Sequence, residues 1–100
     1  MRLGLAAATL LALAGCAGAI AESRVRSALV DAGLSAGDAD CMARRMVDRL
    51  TIAQLRKLEA LEGDRQTLDG YVEAVRQVGD AEALAVTASS ALLCTTGLAR

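Results

Sequence analysis

The sequence lacks histidine, proline, asparagine, phenylalanine and tryptophan, and it contains a single tyrosine. Without histidine, His-based catalytic triads, His metal sites and ordinary histidine acid–base catalysis are excluded. With one aromatic residue, the chain has no platform on which the bases of a single-stranded nucleic acid could stack. Basic residues number 11 and acidic residues 12. This near-neutral balance argues against a nucleic-acid-binding protein, which needs a basic stripe to neutralise phosphates.

The beginning of the chain has the pattern of an export signal. Arg2 is followed by the uncharged run 3–14, and then by Gly15 and Cys16. A positive start, a short apolar run and small residues before a cleavage point are typical of a secretory signal peptide. The run is shorter than the roughly 20 apolar residues that cross a bilayer. We therefore predict that residues 1–15 are a signal peptide.

The four residues Leu13-Ala14-Gly15-Cys16 resemble the lipobox of bacterial lipoproteins. The resemblance implies that the peptide is cut before Cys16, and that this cysteine is diacylated on sulfur and becomes the lipidated N-terminus. Position 17 holds alanine, whereas an aspartate there often marks inner-membrane retention in that family. The alternative is an ordinary secretory signal cut at Ala17 or Ala19, with Cys16 incidental, or a retained helix.

The lipobox interpretation predicts the organisation and location of the mature protein. A short lipidated tether, 16–21, precedes a single helical domain, 22–100. The protein would be exported and anchored to the membrane through the lipid on Cys16, facing the periplasm or the cell exterior. The outer membrane is favoured if the source has two membranes. Several acyl chains make such anchoring essentially permanent.

The cysteine count supports the same interpretation. Three cysteines are an odd number for an exported protein, and assigning Cys16 to lipid leaves Cys41 and Cys94 in an oxidising compartment where disulfides persist. We predict that these two form a disulfide. Cys41 falls on the outer face of its predicted helix, beside Arg44 and Asp48, so a bridge would hold the fifth predicted helix across that side. Two unpaired buried thiols, or a bridge between two chains, are the alternatives.

Helical periodicity, caps and glycines predict a compact all-α bundle of about five short helices. Ser35 with Asp38 and Thr51 with Gln54 resemble capping boxes, and Asp80 is a further predicted cap. Gly33 is a predicted left-handed C-terminal residue. The predicted helices span residues 22–32, 36–50, 52–62, 67–78 and 81–96.

The fifth predicted helix is unusual because residues 83–99 carry no charge. We interpret it as the buried centre of the bundle, because it is apolar or small on all sides. Four small residues would then let partner helices approach closely: Ala81, Ala85, Ala88 and Ser89. An oligomer contact and insertion into a membrane are the alternatives.

No motif indicates catalysis, a metal or a cofactor. The candidate carboxylate pairs, Asp38/Asp40, Glu59/Glu62 and Asp80/Glu82, lie at helix starts or on predicted exposed faces, where acids favour the helix dipole or solvate the surface. Ser89-Ser90 lacks both a Gly-x-Ser-x-Gly setting and a base. The chain is therefore not expected to be an enzyme, and no cofactor is expected.

Two further features are interpreted as structural. Arg44, Arg45 and Arg49 form a basic patch that Asp40 and Asp48 interrupt, which favours a solvated helix face over a phosphate site. Tyr71 is expected to pack in the core with its hydroxyl at the rim.

Two functions remain. The first is a membrane-anchored interaction or structural module of the cell envelope, with an envelope protein as partner and an undetermined oligomeric state. The second is a helical bundle that binds a lipid or another small apolar ligand among Met42, Met46 and the leucines, because methionine adapts to irregular apolar partners. An apolar cavity would favour the second function, and a filled core would favour the first.

Overall fold

The computed structural model describes residues 18–61, 63 and 65–98. Within these residues the chain is all-helical and contains no strand, as the periodicity predicts. The predicted signal peptide 1–15, together with Cys16 and Ala17, lies outside the described residues. The five helices are α1 (18–31), α2 (Ala36–Arg49), α3 (Ile52–Glu59), α4 (Leu68–Val78) and α5 (Ala81–Thr95).

The first helix includes residues that the sequence assigns to the tether. Residues 18–21 are helical, and Ala21 is buried. Ala21 lies one helical turn before Val25, so it extends the apolar face of α1 toward the N-terminus. Within the described residues, α1 is thus helical from residue 18, four residues before its predicted start.

Local hydrogen bonds begin the helices where the sequence predicts. The Ser35 hydroxyl accepts from the Asp38 backbone N–H at 3.1 Å at the start of α2. At the start of α3, the Thr51 hydroxyl accepts from the Gln54 N–H at 3.1 Å and the Gln54 side chain accepts from the Thr51 N–H at 2.8 Å. The second arrangement is a complete capping box. The remaining two caps are Thr67 for α4 and Asp80 for α5.

The ends of α1 and α3 differ in how well they are predicted. Gly33 has a φ of +94°, and the Leu34 N–H donates to the Leu29 carbonyl at 3.1 Å, so α1 ends in the expected left-handed motif. Helix α3 ends at Glu59, three residues earlier than predicted. Leu61 is nevertheless buried. The Leu61 side chain reaches the core from the turn that follows the helix. An apolar residue at helical spacing is therefore buried here although the helix has already ended.

Helices α2 and α5 each bury one face in the bundle, so α5 is not buried on all sides as predicted. Four residues of α2 are fully buried: Ala39, Met42, Ala43 and Met46. Helix α5 packs against α2 and α4 with one face, which carries the buried residues Ala83, Thr87, Ser90, Ala91 and Cys94. The predicted close-packing residues Ala81, Ala85, Ala88 and Ser89 are all exposed. Because α5 carries no charge after Glu82, its pattern does not determine which side faces inward, and the prediction was wrong.

Candidate functional site

A disulfide between Cys41 and Cys94 joins α2 to α5. Their sulfur atoms lie 2.08 Å apart and their Cα atoms 5.8 Å apart, within one chain. Cys41 is half-buried on α2, whereas Cys94 is fully buried near the end of α5. This confirms the predicted intrachain pairing, and the bond holds the end of α5 against the flank of α2.

A second junction joins the starts of α3 and α5 through Gln54. The Gln54 side-chain amide donates to the Asp80 carboxylate at 3.3 Å and to the Glu82 carboxylate at 3.0 Å. The Ala83 backbone N–H also donates to Asp80, at 3.0 Å. This backbone bond, followed by the bond from Gln54, lowers the pKa of the Asp80 carboxyl. The pair Asp80/Glu82 therefore accepts structural hydrogen bonds, in keeping with its interpretation as a cap.

Two of the other candidate carboxylates, Asp40 and Glu59, form ion pairs on the surface. Asp40 forms ion pairs with Arg26 and with Arg44. Glu59 pairs with Arg24 at 3.2 Å. Glu62 lies outside the described residues. Among the residues that the structure describes, no group of three or more His, Cys, Asp or Glu side chains is placed to hold a metal ion.

The neighbouring serines of α5 do not form a nucleophilic site with any described base. The Ser89 hydroxyl is exposed and donates to the Val86 carbonyl at 3.2 Å. Ser90 is fully buried, and its hydroxyl has no hydrogen-bond partner within the described part of the chain. Both are accommodated as small residues of a packed helix.

One concave feature that the sequence does not indicate is a cleft of about 560 Å³ between α1, α3 and the turn that leads to α4. Its apolar wall is formed by Val25, Ala28, Leu55, Leu58, Leu61 and Tyr71. Its rim carries charges of both signs, from Arg24, Asp31, Glu59 and Arg65. The cleft arises from packing between segments that are distant in sequence, so no local pattern could have indicated it.

Tyr71 lies at the wall of this cleft and also belongs to the core. The side chain is almost completely buried, with 2% exposure, and burial raises the pKa of its hydroxyl to about 12. The expected core packing is confirmed. The surroundings of this residue are therefore dry enough to disfavour the phenolate strongly.

The two methionines named for a ligand-binding interior lie elsewhere. Met42 and Met46 are fully buried on α2, and neither lines the cleft. Both belong to the continuous cluster of buried side chains that forms the core. They fill space between helices, which is their usual role at helical spacing.

A shallower depression lies between the beginning of α1 and the second half of α2. It is lined by Glu22, Arg44, Arg45, Val47, Asp48 and Arg49, and its volume is about 570 Å³. Arg44 pairs with Asp40, and Arg49 lies 3.8 Å from Asp48. Arg45 forms no ion pair with any described residue, and its Nε atom is buried without an acceptor there. The three arginines of the predicted basic patch are thus brought together beside α1.

Comparison of the chain with protein-family models, with curated proteins and with solved structures finds no match. None of the helices in the described part of the chain has both the length and the hydropathy that a membrane crossing requires.

Proposed function

We propose that this protein is a small cell-envelope lipoprotein, anchored to a membrane through Cys16, whose helical domain acts as an interaction or structural module. The pairing of Cys41 with Cys94 carries the proposal. A stable disulfide fits an oxidising compartment, and it accounts for two of the three cysteines. The remaining cysteine is the one that ends the lipobox-like sequence Leu13-Ala14-Gly15-Cys16.

The closed core supports an interaction module over a bundle that encloses a ligand. Met42 and Met46 have no exposed surface and do not border either concave feature described above. Of the carboxylates considered for catalysis, Asp80 is a cap, Asp40 and Glu59 are ion-pair partners, and Glu82 accepts a hydrogen bond from Gln54. A module of this kind needs only a stable surface and an anchor. The proposed location is the periplasmic or outer face of a membrane, with the outer membrane favoured where there are two.

Detergent phase partitioning of the full-length protein, expressed in a bacterium that processes lipoproteins, tests the anchor. The native chain should partition into the detergent phase, and the Cys16→Ser variant should accumulate as uncleaved precursor. Cys94→Ser is the matched control, because it removes another cysteine but leaves the lipobox intact. The proposal fails if the native chain is cut and appears in the aqueous phase, or if Cys94→Ser alters processing as Cys16→Ser does.

The cleft favours a second candidate function, the binding of a small apolar ligand such as a lipid acyl chain. Its volume of about 560 Å³ and its wall of aliphatic side chains around Tyr71 fit a narrow apolar molecule. This site differs from the interior around the methionines that the sequence suggested.

A fluorescent fatty acid titrated into the full-length protein tests this second function. Ala28 is half-buried and lines the cleft, so Ala28→Leu should fill it and weaken binding. Ala85→Leu adds the same side chain at an exposed position of α5 and should leave binding unchanged. Equal effects of the two variants, or no saturable binding to the native chain, would exclude the cleft as a ligand site.

A further inference from the structure

We propose that the end of the bundle where α1 begins lies against the membrane and contacts the phosphates of anionic phospholipids. The contacting residues form what we call the anchor-proximal surface, and the inference rests on the proposed acylation of Cys16. The surface comprises Ile20, Arg44, Arg45, Arg49 and Ile52.

The position of the anchor limits how the domain can be placed. Residue 18 is already helical, two residues after Cys16. A lipid on Cys16 therefore holds the first turns of α1 near the headgroups, because two residues span at most about 7 Å when extended. Glu22, one turn into the described helix, shares its depression with Arg45 and Arg49 of α2. The arginine patch is consequently brought to the membrane side of the domain.

The charges of this depression suit an anionic surface. Arg44, Arg45 and Arg49 line the depression with Glu22 and Asp48, and Asp40, which pairs with Arg44, also pairs with Arg26. Together these four arginines and three acids leave one net positive charge. Arg45 has no ion-pair partner among the described side chains, so its guanidinium does not have to give up an existing carboxylate to pair with a phosphate. The Arg49–Asp48 pair is exposed on both sides and 3.8 Å long, so it competes weakly with a phosphate.

Two exposed apolar side chains flank the arginines. Ile20 is 56% exposed in the first described turn of α1, and Ile52 is 40% exposed three residues after Arg49. Transfer of an isoleucine side chain from water to the boundary between headgroups and acyl chains is favourable, because it removes apolar surface from water. Arginines that contact phosphates, with apolar side chains beside them, form an arrangement suited to the bilayer interface.

Tryptophan reporters test the orientation, because the chain has no tryptophan of its own. Full-length acylated Ile52→Trp and Leu98→Trp would be placed in vesicles of brominated phosphatidylcholine, with or without equal parts of phosphatidylglycerol. Leu98 is the matched control, because it is 76% exposed and follows Cys94, which is bonded to the first half of α2. We expect the bromines to quench the tryptophan fluorescence of Ile52→Trp strongly and that of Leu98→Trp little. The quenching of Ile52→Trp should be greater in vesicles that contain phosphatidylglycerol. One net positive charge corresponds to roughly a five-fold shift toward the docked orientation.

Charge variants test the role of the arginines. In the Ile52→Trp background, Arg45→Gln with Arg49→Gln reverses the sign of the net charge and should abolish the increase caused by phosphatidylglycerol. The control is Arg24→Gln with Arg65→Gln, which removes the same charge from the cleft rim. This control should leave the phosphatidylglycerol-dependent increase in tryptophan quenching unchanged. Flotation with the vesicles measures anchoring separately. Equal quenching of the two reporters in a protein that floats would overturn this inference alone, whereas a protein that does not float would overturn the anchor and the orientation together.

Discussion

Cys41 on the half-buried flank of α2 is bonded to Cys94, a fully buried residue near the end of α5. The bond joins positions 53 residues apart, and it holds against α2 a helix that has no charged residue to direct its packing after Glu82. The orientation of α5 thus depends on this bond as well as on its small buried side chains.

Loss of the disulfide should destabilise the domain strongly. In the chain-entropy model, a bond across this separation stabilises by about 4 kcal/mol. For a domain of this size, that loss should lower the melting temperature by more than about ten degrees. Cys41→Ser and Cys94→Ser should each mimic reduction, as followed by circular dichroism. The double variant should be no worse than either single variant, because both remove one bond; additive losses would contradict the assignment.

Gln54 should matter more than an ordinary exposed glutamine. Gln54→Ala removes the reciprocal half of the capping box and the links to Asp80 and Glu82, so we expect a loss of about 1–2 kcal/mol in urea unfolding. Gln54→Glu keeps an acceptor for the Thr51 N–H but places a third carboxylate beside Asp80 and Glu82. This variant should therefore regain stability as the pH is lowered toward the carboxyl pKa range. A pH-independent difference from the native chain would argue against the junction.

Asp80 should contribute to the acid sensitivity of the fold. Its pKa is lowered in the folded state by the Ala83 N–H and the Gln54 amide, so the folded chain binds a proton less readily than the unfolded chain. Its contribution is present above the ordinary value of 3.8 and is lost as the pH falls through the lowered pKa. Asp80→Asn keeps a capping oxygen but does not titrate, and it should flatten the acid limb of a stability–pH profile. An unchanged limb would exclude this role.

The hydroxyl of Tyr71, the single tyrosine, should lose its proton only at unusually high pH. Burial raises the pKa of Tyr71 to about 12, so the contribution of the neutral form is complete below the ordinary value of 10 and is lost as the pH rises through about 12. Ultraviolet difference spectroscopy can follow phenolate formation without interference from tryptophan. The Tyr71→Phe variant supplies the baseline. Ionisation near pH 10 in a chain that remains helical would show that the hydroxyl is solvated.

Much of the helical organisation could be predicted because caps act locally. Ser35, Thr51 and Asp80 each accept a hydrogen bond from the backbone N–H three residues later, so a few residues determine where a helix begins. The left-handed Gly33 likewise needs only its immediate neighbours. The disulfide could be predicted from cysteine parity combined with the predicted export signal.

The remaining features depend on packing between distant segments. The pattern of α5 is nearly uniform, so the sequence does not distinguish the buried Ala83 from the exposed Ala85. The cleft exists because α1 packs beside α3 and the following turn, and the Arg24–Glu59 pair at its rim joins residues 35 positions apart. The sequence did not predict the helical residues 18–21 at the start of α1, because small residues after a predicted cleavage site are equally compatible with a tether.

Mass spectrometry of the N-terminal peptide of the protein isolated from bacterial membranes tests the central claim most directly. The lipoprotein proposal predicts a chain that begins at Cys16 and carries a diacylated sulfur, with Cys41 and Cys94 joined in a separate, reducible pair. A free thiol at Cys16, or a mature chain that begins at another residue, would contradict it.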